Sequence, residues 1–451
     1  MNREFDLIVI GTGAAGSPVA HKCRQAGWNV AIIDSHPFGG TCALRGCDPK
    51  KVLVGAADAI DWTRRMQDKG ISATNARIDW PALMRFKRTF TEPVPETREK
   101  DFEKAGIAVF HGRARFVGRT KLQVSDDVLS GRYVHIAAGA RPATLGIDGE
   151  NYLTTSDQFL ELDELPERIS FVGGGYISFE FAHVAARAGA QVRIIHRGSR
   201  PLEGFDADLV DTLVQSTRNA GIDVRLNAAV KSIERSNDHL VVRFSTDGAE
   251  KQSETDMVVH GAGRVPDIDD LDLETAGVER EKKGISVNEF LQSVSNPAVY
   301  AAGDAAAGGG LPLTPVASME AEVVAANLLE GNDRKPNYNA VPTVVFTVPP
   351  LAAVGLREED ARKQGLKFRT NYGDMGDWYS SRRLNLKHAA FKVLIEENTE
   401  RILGAHLLGA HAEETINLFA LAIRTGLKAD DLRAMIYAYP THASDVTHTL
   451  N

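Results

Sequence analysis

The sequence predicts an α/β protein with two similar strand–turn–helix–strand units and a separate α+β domain towards its C-terminal end. The first unit begins with a β-rich run at Phe5–Ile10, and the second begins about 160 residues later at Ile169–Val172. In each unit a glycine-rich turn leads into an alanine-rich helical stretch, which a glycine closes before a second β-rich run. After Thr343–Val348, short strand patterns alternate with helical ones, as is typical of an α+β domain.

The same patterns predict the bounds of the principal elements. We expect strands at Asn29–Asp34, Gln191–Arg197, Ala389–Ile395 and Ile402–Leu408. We expect helices at Ser17–Ala26, Phe179–Ala188, Glu413–Thr425 and Lys428–Ala438.

Composition and charge argue against several classes of protein. The 451 residues carry a formal net charge of -8, which is unlike a general binder of nucleic acid or anionic membranes. No apolar run approaches the roughly 18 residues of a membrane span, and Leu7–Ile10 is too short for a secretory signal. We therefore expect a cytoplasmic protein. Three cysteines are too few for a secreted disulfide framework, so a close pair is more typical of catalysis or metal binding.

The first turn, Gly11-Thr12-Gly13-Ala14-Ala15-Gly16, has the spacing of a dinucleotide-binding turn. Gly11 allows a tight turn, Gly13 lets the backbone approach a pyrophosphate, and Gly16 lets helix and strand pack closely. The helix N-terminus offers N–H donors and a positive dipole end to the phosphates. Asp34, at the end of the next strand, can accept a hydrogen bond from a ribose hydroxyl. Together these features predict a Rossmann-like domain.

The second turn, Gly173-Gly174-Gly175-Tyr176-Ile177-Ser178, departs from the first in two ways. Ser178 replaces the third glycine, which a slightly wider gap between helix and strand would tolerate. The second strand ends without an acid, at His196, Arg197 and Arg200. Arginine pairs with a 2′-phosphate that an acid would repel, so this pattern favours NADPH over NADH. The alternative is a solvated basic surface.

Two dinucleotide sites in one chain indicate one bound flavin and one nicotinamide that exchanges. Two further segments support the flavin: Ile136–Pro142, which contains Ala138 and Gly139, and Val299–Asp304, in which Asp304 follows Gly303. Each is a buried strand pattern that ends in a small-residue turn, and Asp304 can bind the ribityl or pyrophosphate region. Taken alone, each is more often a plain core strand and turn.

The most specific segment is Gly39-Gly40-Thr41-Cys42-Ala43-Leu44-Arg45-Gly46-Cys47-Asp48-Pro49-Lys50-Lys51. Five residues of regular helix rise about 7.5 Å, whereas the Cα atoms of a disulfide lie roughly 4.4–6.8 Å apart. An oxidised Cys42–Cys47 pair therefore requires a break in the helix, for which Gly40 and Gly46 give room. A metal site is the competing interpretation, but no further cysteine is nearby and no His-rich cluster accompanies the pair.

This segment closely resembles the flavoprotein disulfide reductases of class I, which include glutathione reductase, dihydrolipoamide dehydrogenase and mercuric reductase. Their pattern is Gly-Gly-Thr-Cys, four residues, a second Cys, and then a proline with a lysine shortly after it. The resemblance extends in order over the whole chain, through Gly261–Pro266, Gly303-Asp304, Leu313–Ala317 and the C-terminal domain. It implies FAD and NADPH as cofactors and a homodimer with shared active sites.

The resemblance also implies roles for individual residues. Cys47 would face the flavin as the charge-transfer thiolate, and Cys42 would be the interchange thiol that attacks the substrate. Lys50, or Lys51 in the alternative spacing, would pair with Glu180 near the flavin N5, where a cation stabilises the charge of reduced flavin. Tyr176 would gate the nicotinamide pocket.

Motifs and resemblance together predict two sets of cofactor-binding residues. The FAD set comprises Gly11, Gly13, Ala14, Ala15, Gly16, Asp34, Gly40, Thr41, Lys50, Lys51, Ala138, Gly139, Gly303, Asp304, Pro315, Val316 and Ala317. The NADPH set comprises Gly173, Gly175, Tyr176, Ile177, Glu180, His196, Arg197, Arg200 and Gly263.

The predicted domains follow from these sets. Residues 1–147 form the first part of an FAD-binding domain, which contains the dithiol, and residues 267–339 form its second, central part. Residues 148–266 form the NAD(P)H-binding domain, and residues 340–451 form the dimerisation domain.

The C-terminal segment departs from the family pattern on the acceptor side. Family members usually end in His-Pro-Thr-x-x-Glu, whose histidine protonates the leaving thiolate. Here Tyr439 takes the place of the histidine and Ser444 that of the glutamate, which leaves Tyr439 or His442 as the acid. The tyrosine resembles mercuric reductase, but no cysteine lies near Asn451, so we do not expect that enzyme's metal-delivering pair.

The substrate site also departs from glutathione reductase. His21 and Glu322 stand where arginines that hold the carboxylates of glutathione are expected. Three hypotheses stay open. In the first, the chain is an NADPH-dependent reductase of a disulfide or related sulfur compound. In the second, it reduces a metal ion, quinone or hypohalous derivative, because such acceptors need less proton donation to a leaving thiolate. In the third, it is a non-enzymatic redox sensor or flavin-binding interaction protein.

Substitution of Arg197 by glutamate tests the nucleotide prediction. Arg197→Glu should narrow or reverse the preference for NADPH, because it replaces a partner of the 2′-phosphate by a repelling acid. The measurement is the rate of flavin reduction by NADPH and by NADH under anaerobic conditions. A wild-type protein that clearly prefers NADH would contradict the interpretation.

Overall fold

A computed structural model describes residues 2–73, 75–246 and 248–451. Its strands are β1 (Asn2–Ile10), β2 (Val30–Asp34), β3 (Ala108–His111), β4 (Ala114–Phe116), β5 (Lys121–Val124), β6 (Asp127–Ile136), β7 (Ala140–Pro142), β8 (Leu153–Thr154), β9 (Arg168–Val172), β10 (Gln191–Ile195), β11 (Asp223–Arg225), β12 (Ala228–Ser236), β13 (His239–Thr246), β14 (Ala249–Thr255), β15 (Met257–His260), β16 (Arg264–Pro266), β17 (Arg280–Glu281), β18 (Gly284–Ile285), β19 (Val299–Ala301), β20 (Thr343–Val345), β21 (Leu351–Gly355), β22 (Phe368–Asp374), β23 (Ala390–Glu396) and β24 (Ile402–Leu408).

The α-helices are α1 (Ser17–Gln25), α2 (Gly40–Arg45), α3 (Cys47–Arg65), α4 (Trp80–Thr91), α5 (Val94–Lys104), α6 (Ser156–Phe159), α7 (Tyr176–Arg187), α8 (Ala207–Asn219), α9 (Leu273–Ala276), α10 (Thr314–Glu330), α11 (Glu358–Lys363), α12 (Tyr379–Arg382), α13 (Ala412–Thr425), α14 (Ala429–Ala434) and α15 (Val446–Thr449). Within the described ranges, no helix is long and apolar enough to cross a membrane.

The chain divides into two compact structural units, which are larger than the two strand–turn–helix–strand repeats and are called the first and second unit from here on. The first consists of the chain up to Lys50 together with Phe86–Ala143 and Arg264–Tyr338, and the second consists of Lys51–Arg85, Thr144–Gly263 and Asn339–Asn451. Three breaks between the units lie within a few residues of predicted domain boundaries. The four predicted domains themselves stay predictions, because a division into two units does not separate them.

The first unit is built on a mostly parallel sheet in the order β3-β2-β1-β6-β5-β4, with β19 paired to β6. Leu7 and Val9 of β1 belong to one hydrophobic core, whereas Ile8 and Ile10 belong to another. Successive side chains of a strand point to opposite faces, so both faces of this sheet are covered. Since β1 lies between β2 and β6, its carboxyl end is a point at which the strand order reverses, where dinucleotides bind in such folds.

The second unit contains a parallel sheet in the order β11-β10-β9-β15-β8 and an antiparallel sheet in the order β20-β21-β24-β23-β22. Ile169 and Phe171 of β9 face one core and Val172 faces another. In the antiparallel sheet, apolar residues of β23 and β24 pack against Ile416 and Phe419 of α13. Two parallel nucleotide-binding sheets and a C-terminal α+β domain are therefore present, which confirms the predicted fold class.

Several predicted bounds differ from the structure by one to four residues. Helix α7 begins at Tyr176 instead of Phe179, because the glycine-rich turn already ends at Gly175. The β-branched run Thr343–Val348 forms a strand only over Thr343–Val345. Helix α14 stops at Ala434 instead of Ala438, because the chain becomes extended and Ile436, 96% exposed, lacks packing to hold it helical.

Candidate redox site and nucleotide-binding turns

The dinucleotide turn of the first unit is fastened to the end of β2 by Asp34. The backbone N–H and the hydroxyl of Thr12 both donate to Asp34 Oδ2, at 2.8 and 2.6 Å. Asp34 Oδ1 accepts from the backbone N–H of His36 at 2.9 Å. A carboxylate can accept about four hydrogen bonds, so Asp34 keeps capacity for the predicted ribose hydroxyl.

The three glycines of this turn fit a pyrophosphate. Gly11 has φ +104°, and a Cβ there would lie 2.2 Å from the carbonyl oxygen of Ala137. A Cβ at Gly16 would lie 2.0 Å from the carbonyl oxygen of Gly11. At Gly13 the nearest atom to such a Cβ is the Cα of Gly40, at 3.7 Å, so the backbone there is open to a ligand.

The dithiol segment contains the helix break that the sequence predicts. Helix α2 carries Cys42 and ends at Arg45, and α3 begins at Cys47. Between them lies Gly46, whose φ of -141° and ψ of -115° are not helical. Gly40 has φ +72°, and a Cβ there would lie 2.4 Å from the Cα of Gly13. The absence of a side chain at Gly40 therefore lets the start of the dithiol segment lie directly against the dinucleotide turn.

The two thiols have unequal proton affinities. The pKa of Cys47 is lowered to about 6, chiefly by a hydrogen bond with Cys42. Thr314 and Lys50 also lower this pKa, whereas burial raises it. The same bond, with burial, raises the pKa of Cys42. Thr314 Oγ1 lies 3.5 Å from Cys47 Sγ, and Cys42 Sγ lies 3.9 Å from Asp48 Oδ1. In the reduced pair, Cys47 therefore loses its proton more readily than Cys42.

The structure separates the roles open to the two candidate lysines. The charge of Lys50 acts on Cys47 and lowers its pKa. In the second unit, the ammonium of Lys51 lies 4.1 Å from the ring centroid of Phe346, in a cation–π contact. Lys50 is therefore the lysine beside the dithiol. It belongs to the first unit and Glu180 to the second, so the predicted ion pair stays a prediction.

The remaining predicted FAD residues of the first unit converge on the same turn. A Cβ at Gly303 would lie 3.1 Å from the Cβ of Ala15 and 3.4 Å from that of Ala317. The Gly303-Asp304 turn, the dinucleotide turn and the start of α10, with Pro315 and Val316, thus meet in one place. Burial raises the pKa of Asp304 and the charge of Arg264 opposes this. Thr41 lies at the start of α2, and the Ala138-Gly139 turn lies between β6 and β7.

In the second unit, room for Ser178 comes from a glycine and not from the predicted wider gap. A Cβ at Gly261, directly after β15, would lie 2.1 Å from Ser178 Oγ. Gly173, with φ +111°, is equally close, since a Cβ there would lie 2.3 Å from the carbonyl oxygen of Gly261. Helix, turn and strand therefore pack tightly although the third glycine of the motif is missing.

The basic residues after β10 suit an anionic ligand. His196 Nε2 lies 3.0 Å from the carbonyl oxygen of Arg200, which folds the segment back on itself. Arg197 is exposed, and Arg200 Nε is buried without a hydrogen-bond partner in the described chain. An unpaired buried guanidinium nitrogen beside an exposed arginine fits the 2′-phosphate of NADPH.

Tyr176 and Glu180, both on α7, have partners that the motif spacing did not indicate. The Tyr176 hydroxyl lies 2.8 Å from Thr343 Oγ1, and its ring meets that of Phe205 edge-on at 5.6 Å. Glu180 is buried, and its Oε1 accepts from the backbone N–H of Phe346 at 2.9 Å. Thr343, Phe205 and Phe346 are far away in sequence, and their types carry no functional signature.

The C-terminal segment separates the two candidate acids. Tyr439 is 83% exposed. His442 lies 3.3 Å from Arg383, with its ring 4.8 Å from that of His411. Burial, with the charges of His411 and Arg383, lowers the pKa of His442 to about 4, so its imidazole is neutral at neutral pH. Ser444 bonds back to Thr441, so neither Ser444 nor His442 supports Tyr439.

His21 and Glu322, the positions that differ from glutathione reductase, offer no unpaired positive charge to a substrate. His21 stacks on Phe102 at 5.0 Å, and burial lowers its pKa. Glu322 forms an ion pair with Lys22. Neither position presents the cation expected for a carboxylate-bearing substrate.

Comparison with known proteins agrees with this geometry. Residues 5–321 match the family described as pyridine nucleotide-disulphide oxidoreductase, and residues 341–450 match the dimerisation domain of that family. This chain belongs to that family. It is therefore an FAD-dependent NAD(P)H disulfide oxidoreductase, and the predicted cofactor classes are confirmed.

Three relatives illustrate the similarity. A glutathione reductase of Burkholderia cepacia is 34% identical over 447 residues, which cover 98% of this chain and 97% of the relative. A mercuric reductase of Staphylococcus aureus is 30% identical over 448 residues, which cover 98% of this chain and 81% of the relative. The solved structure of RclA, an HOCl-induced flavoprotein disulfide reductase of Escherichia coli, matches with a TM-score of 0.87 and 28% identity over 99% of both chains.

Replacing Thr314 tests the unequal thiols. Thr314→Val should raise the pKa of Cys47 by about 1, because the thiolate loses a hydrogen-bond donor. The measurement is the ultraviolet absorbance of thiolate against pH in the anaerobically reduced protein. Thr314→Ser keeps the hydroxyl and should titrate like wild type. Equal titration of the valine and serine variants would contradict the assignment.

Proposed function

We propose that the chain is an NADPH-dependent reductase of small-molecule disulfides or related sulfur compounds, with Cys42 and Cys47 as its redox centre. The observation that carries this proposal is the placement of Cys42 and Cys47 on either side of the helix break at Gly46, in a segment that lies against the dinucleotide turn. The assignment to NADPH is supported by exposed Arg197 and the unpaired Arg200 Nε. Bound FAD would pass the two electrons of the nicotinamide to the Cys42–Cys47 disulfide.

Thiol–disulfide exchange then follows from the chemistry of the two cysteines. Cys42 loses its proton and attacks one sulfur of the substrate, which forms a mixed disulfide and releases the first product thiol. The Cys47 thiolate attacks Cys42 Sγ, which releases the second product sulfur and restores the Cys42–Cys47 disulfide. Two products need two protons: the proton of Cys42 supplies one and an acid supplies the other.

Tyr439 is the acid that we favour. Its phenol is 83% exposed, and its hydroxyl can donate a hydrogen bond or a proton. His442 is neutral and held by Arg383 and His411 of its own chain, so it is a poor source of a proton. A phenol cannot form an ion pair that holds Cys42 as a thiolate, so exchange should speed up with rising pH as Cys42 ionises unaided.

The proposed acceptor is a disulfide without the carboxylates of glutathione. His21 is stacked on Phe102 and Glu322 is paired with Lys22, so the cations that would bind such carboxylates are replaced by a weakly basic ring and a neutralised acid. Exchange with a weakly charged disulfide needs neither cation.

We further propose a homodimer in which each C-terminal segment completes the partner's site. The matched dimerisation domain supports this arrangement. Met435, Ile436 and Tyr439 are exposed along one short segment, which leaves apolar side chains without packing in their own chain. A large, apolar and obligate interface would cover them.

An anaerobic acceptor panel tests the proposed function. With NADPH oxidation as the readout, an uncharged small disulfide should be reduced faster than oxidised glutathione, a quinone or a divalent metal ion. Cys42→Ser should reduce disulfide turnover to background. Preference for a non-disulfide oxidant, with turnover that survives Cys42→Ser, would contradict the proposal and favour direct reduction by the flavin.

Tyr439→Phe should lower acceptor turnover by about a hundredfold, which is within the usual contribution of a general acid. Reduction of the flavin by NADPH should stay nearly unchanged, because Tyr439 acts only on the acceptor side. The matched control is His442→Gln, for which we expect a small effect. A large loss with His442→Gln and none with Tyr439→Phe would reverse the assignment.

Mixed dimers test the sharing of the site. Chains with Tyr439→Phe, co-folded with chains that carry Cys42→Ser, should recover one wild-type site per dimer if Tyr439 serves the partner's dithiol. Activity should then exceed that of either variant alone. A stable, fully active monomer would refute the arrangement.

A further inference from the structure

A buried carboxylate on α10 links three segments of the redox site. Glu320 is 3% exposed and lies six residues after Thr314 on the same helix. Its Oε2 accepts from the backbone N–H of Gly303 at 2.6 Å, and its Oε1 accepts from the Tyr338 hydroxyl at 2.6 Å. Burial raises the pKa of Glu320, while these two bonds oppose that effect. Each oxygen thus has a donor, as an ionised carboxylate requires.

The bond to Gly303 fixes the turn that precedes Asp304. Gly303 has φ +66° and is confined between the Cβ atoms of Ala15 and Ala317. The direction of its N–H therefore decides how the next residue, Asp304, is presented to the dinucleotide turn. Glu320 determines that direction, since its charge-assisted hydrogen bond is stronger than a neutral one.

The triple glycine Gly308–Gly310 wraps over the same pair. A Cβ at Gly310 would lie 2.7 Å from Tyr338 Cε1 and 2.8 Å from Glu320 Oε1, and one at Gly308 would lie 3.1 Å from the Tyr338 hydroxyl. A side chain at Gly310 would collide with the pair, and one at Gly308 would crowd the Tyr338 hydroxyl. The loop continues to Thr314, whose hydroxyl contacts Cys47 Sγ.

A buried charge at this position is not explained by packing. The neighbouring buried residues of α10, among them Val316, Ala317, Ala321 and Val324, are small and apolar. Burying a carboxylate among them is unfavourable unless its hydrogen bonds are made. The two bonds that Glu320 accepts come from the Gly303-Asp304 turn and from Tyr338, beneath the Gly308–Gly310 loop.

We propose that Glu320, held by Tyr338, is a positioning residue of the redox site. It orients the Gly303-Asp304 turn toward bound FAD and holds the loop that brings Thr314 to Cys47. The inference deepens the proposed function and rests on it for the place of the flavin.

Four conservative variants of the holoenzyme test the proposal. Tyr338→Phe and Glu320→Gln remove a hydroxyl or the charge with little change of shape. Their controls are Tyr300→Phe, a buried tyrosine whose hydroxyl bonds to Asn332, and Glu330→Gln, an exposed position on the same helix. The readouts are the rate of FAD release after dilution, followed by flavin fluorescence, and the temperatures of FAD release and of unfolding, the latter by circular dichroism.

We expect Glu320→Gln and Tyr338→Phe to release FAD about tenfold faster than wild type, the effect of one hydrogen bond to a charged group. Release should precede unfolding in both variants and coincide with it in the controls. The thiolate of Cys47 should also titrate at higher pH in Glu320→Gln, because Thr314 is held less firmly.

A merely structural role predicts a different pattern. Release and unfolding would then shift together, and the pH titration of Cys47 would not move; that pattern overturns the proposal. Glu320→Leu, if it folds, should show the largest effect, but the two conservative variants decide the question. A wild-type protein without FAD would contradict the proposed function itself, whereas normal FAD release in every variant would contradict only the role of Glu320.

Discussion

The hydrogen bond from the Cys42 thiol to the Cys47 thiolate is the interaction on which the rest of the site depends. It requires the helix break at Gly46, since regular helix would carry the two sulfurs apart. This bond has the largest influence on the pKa of Cys47, and the Thr314 hydroxyl and the charge of Lys50 add to it against the opposing effect of burial. The result is a pair in which the pKa of Cys47 is lowered and that of Cys42 is raised.

Glycines let the backbone segments around the Cys42–Cys47 pair pack closely in the first unit. A Cβ at Gly40 would collide with the Cα of Gly13, so the missing side chain lets the dithiol segment lie against the dinucleotide turn. Gly303 lies in the same way between Ala15 and Ala317. Glu320 is a buried polar group in this region. Its hydrogen bonds connect α10 to the Gly303-Asp304 turn and to Tyr338. Close backbone contact therefore sets the geometry, and a few charged hydrogen bonds hold it.

Much of the fold and of the redox site was predictable, because the motifs that specify them are local in sequence. The glycine motifs, the flanking strands and the five-residue cysteine spacing predict both nucleotide-binding turns and the helix break. Contacts between distant segments were not predictable: Thr343 with Tyr176, Phe346 with Lys51, and Tyr338 with Glu320 join residues whose types are ordinary. The room for Ser178 also comes from Gly261, which directly follows β15. The end of α14 was missed because its apolar residues favour a helix but have no core in this chain.

The central claim is that electrons from the nicotinamide reach Cys42 and Cys47. Anaerobic treatment with one equivalent of NADPH, followed by thiol alkylation and peptide mapping, measures this directly. We predict that the two cysteines become available together, one pair per chain, while Cys23, which is fully buried, stays unmodified unless the protein is unfolded. Oxidation of NADPH without the appearance of this pair of thiols would contradict the account.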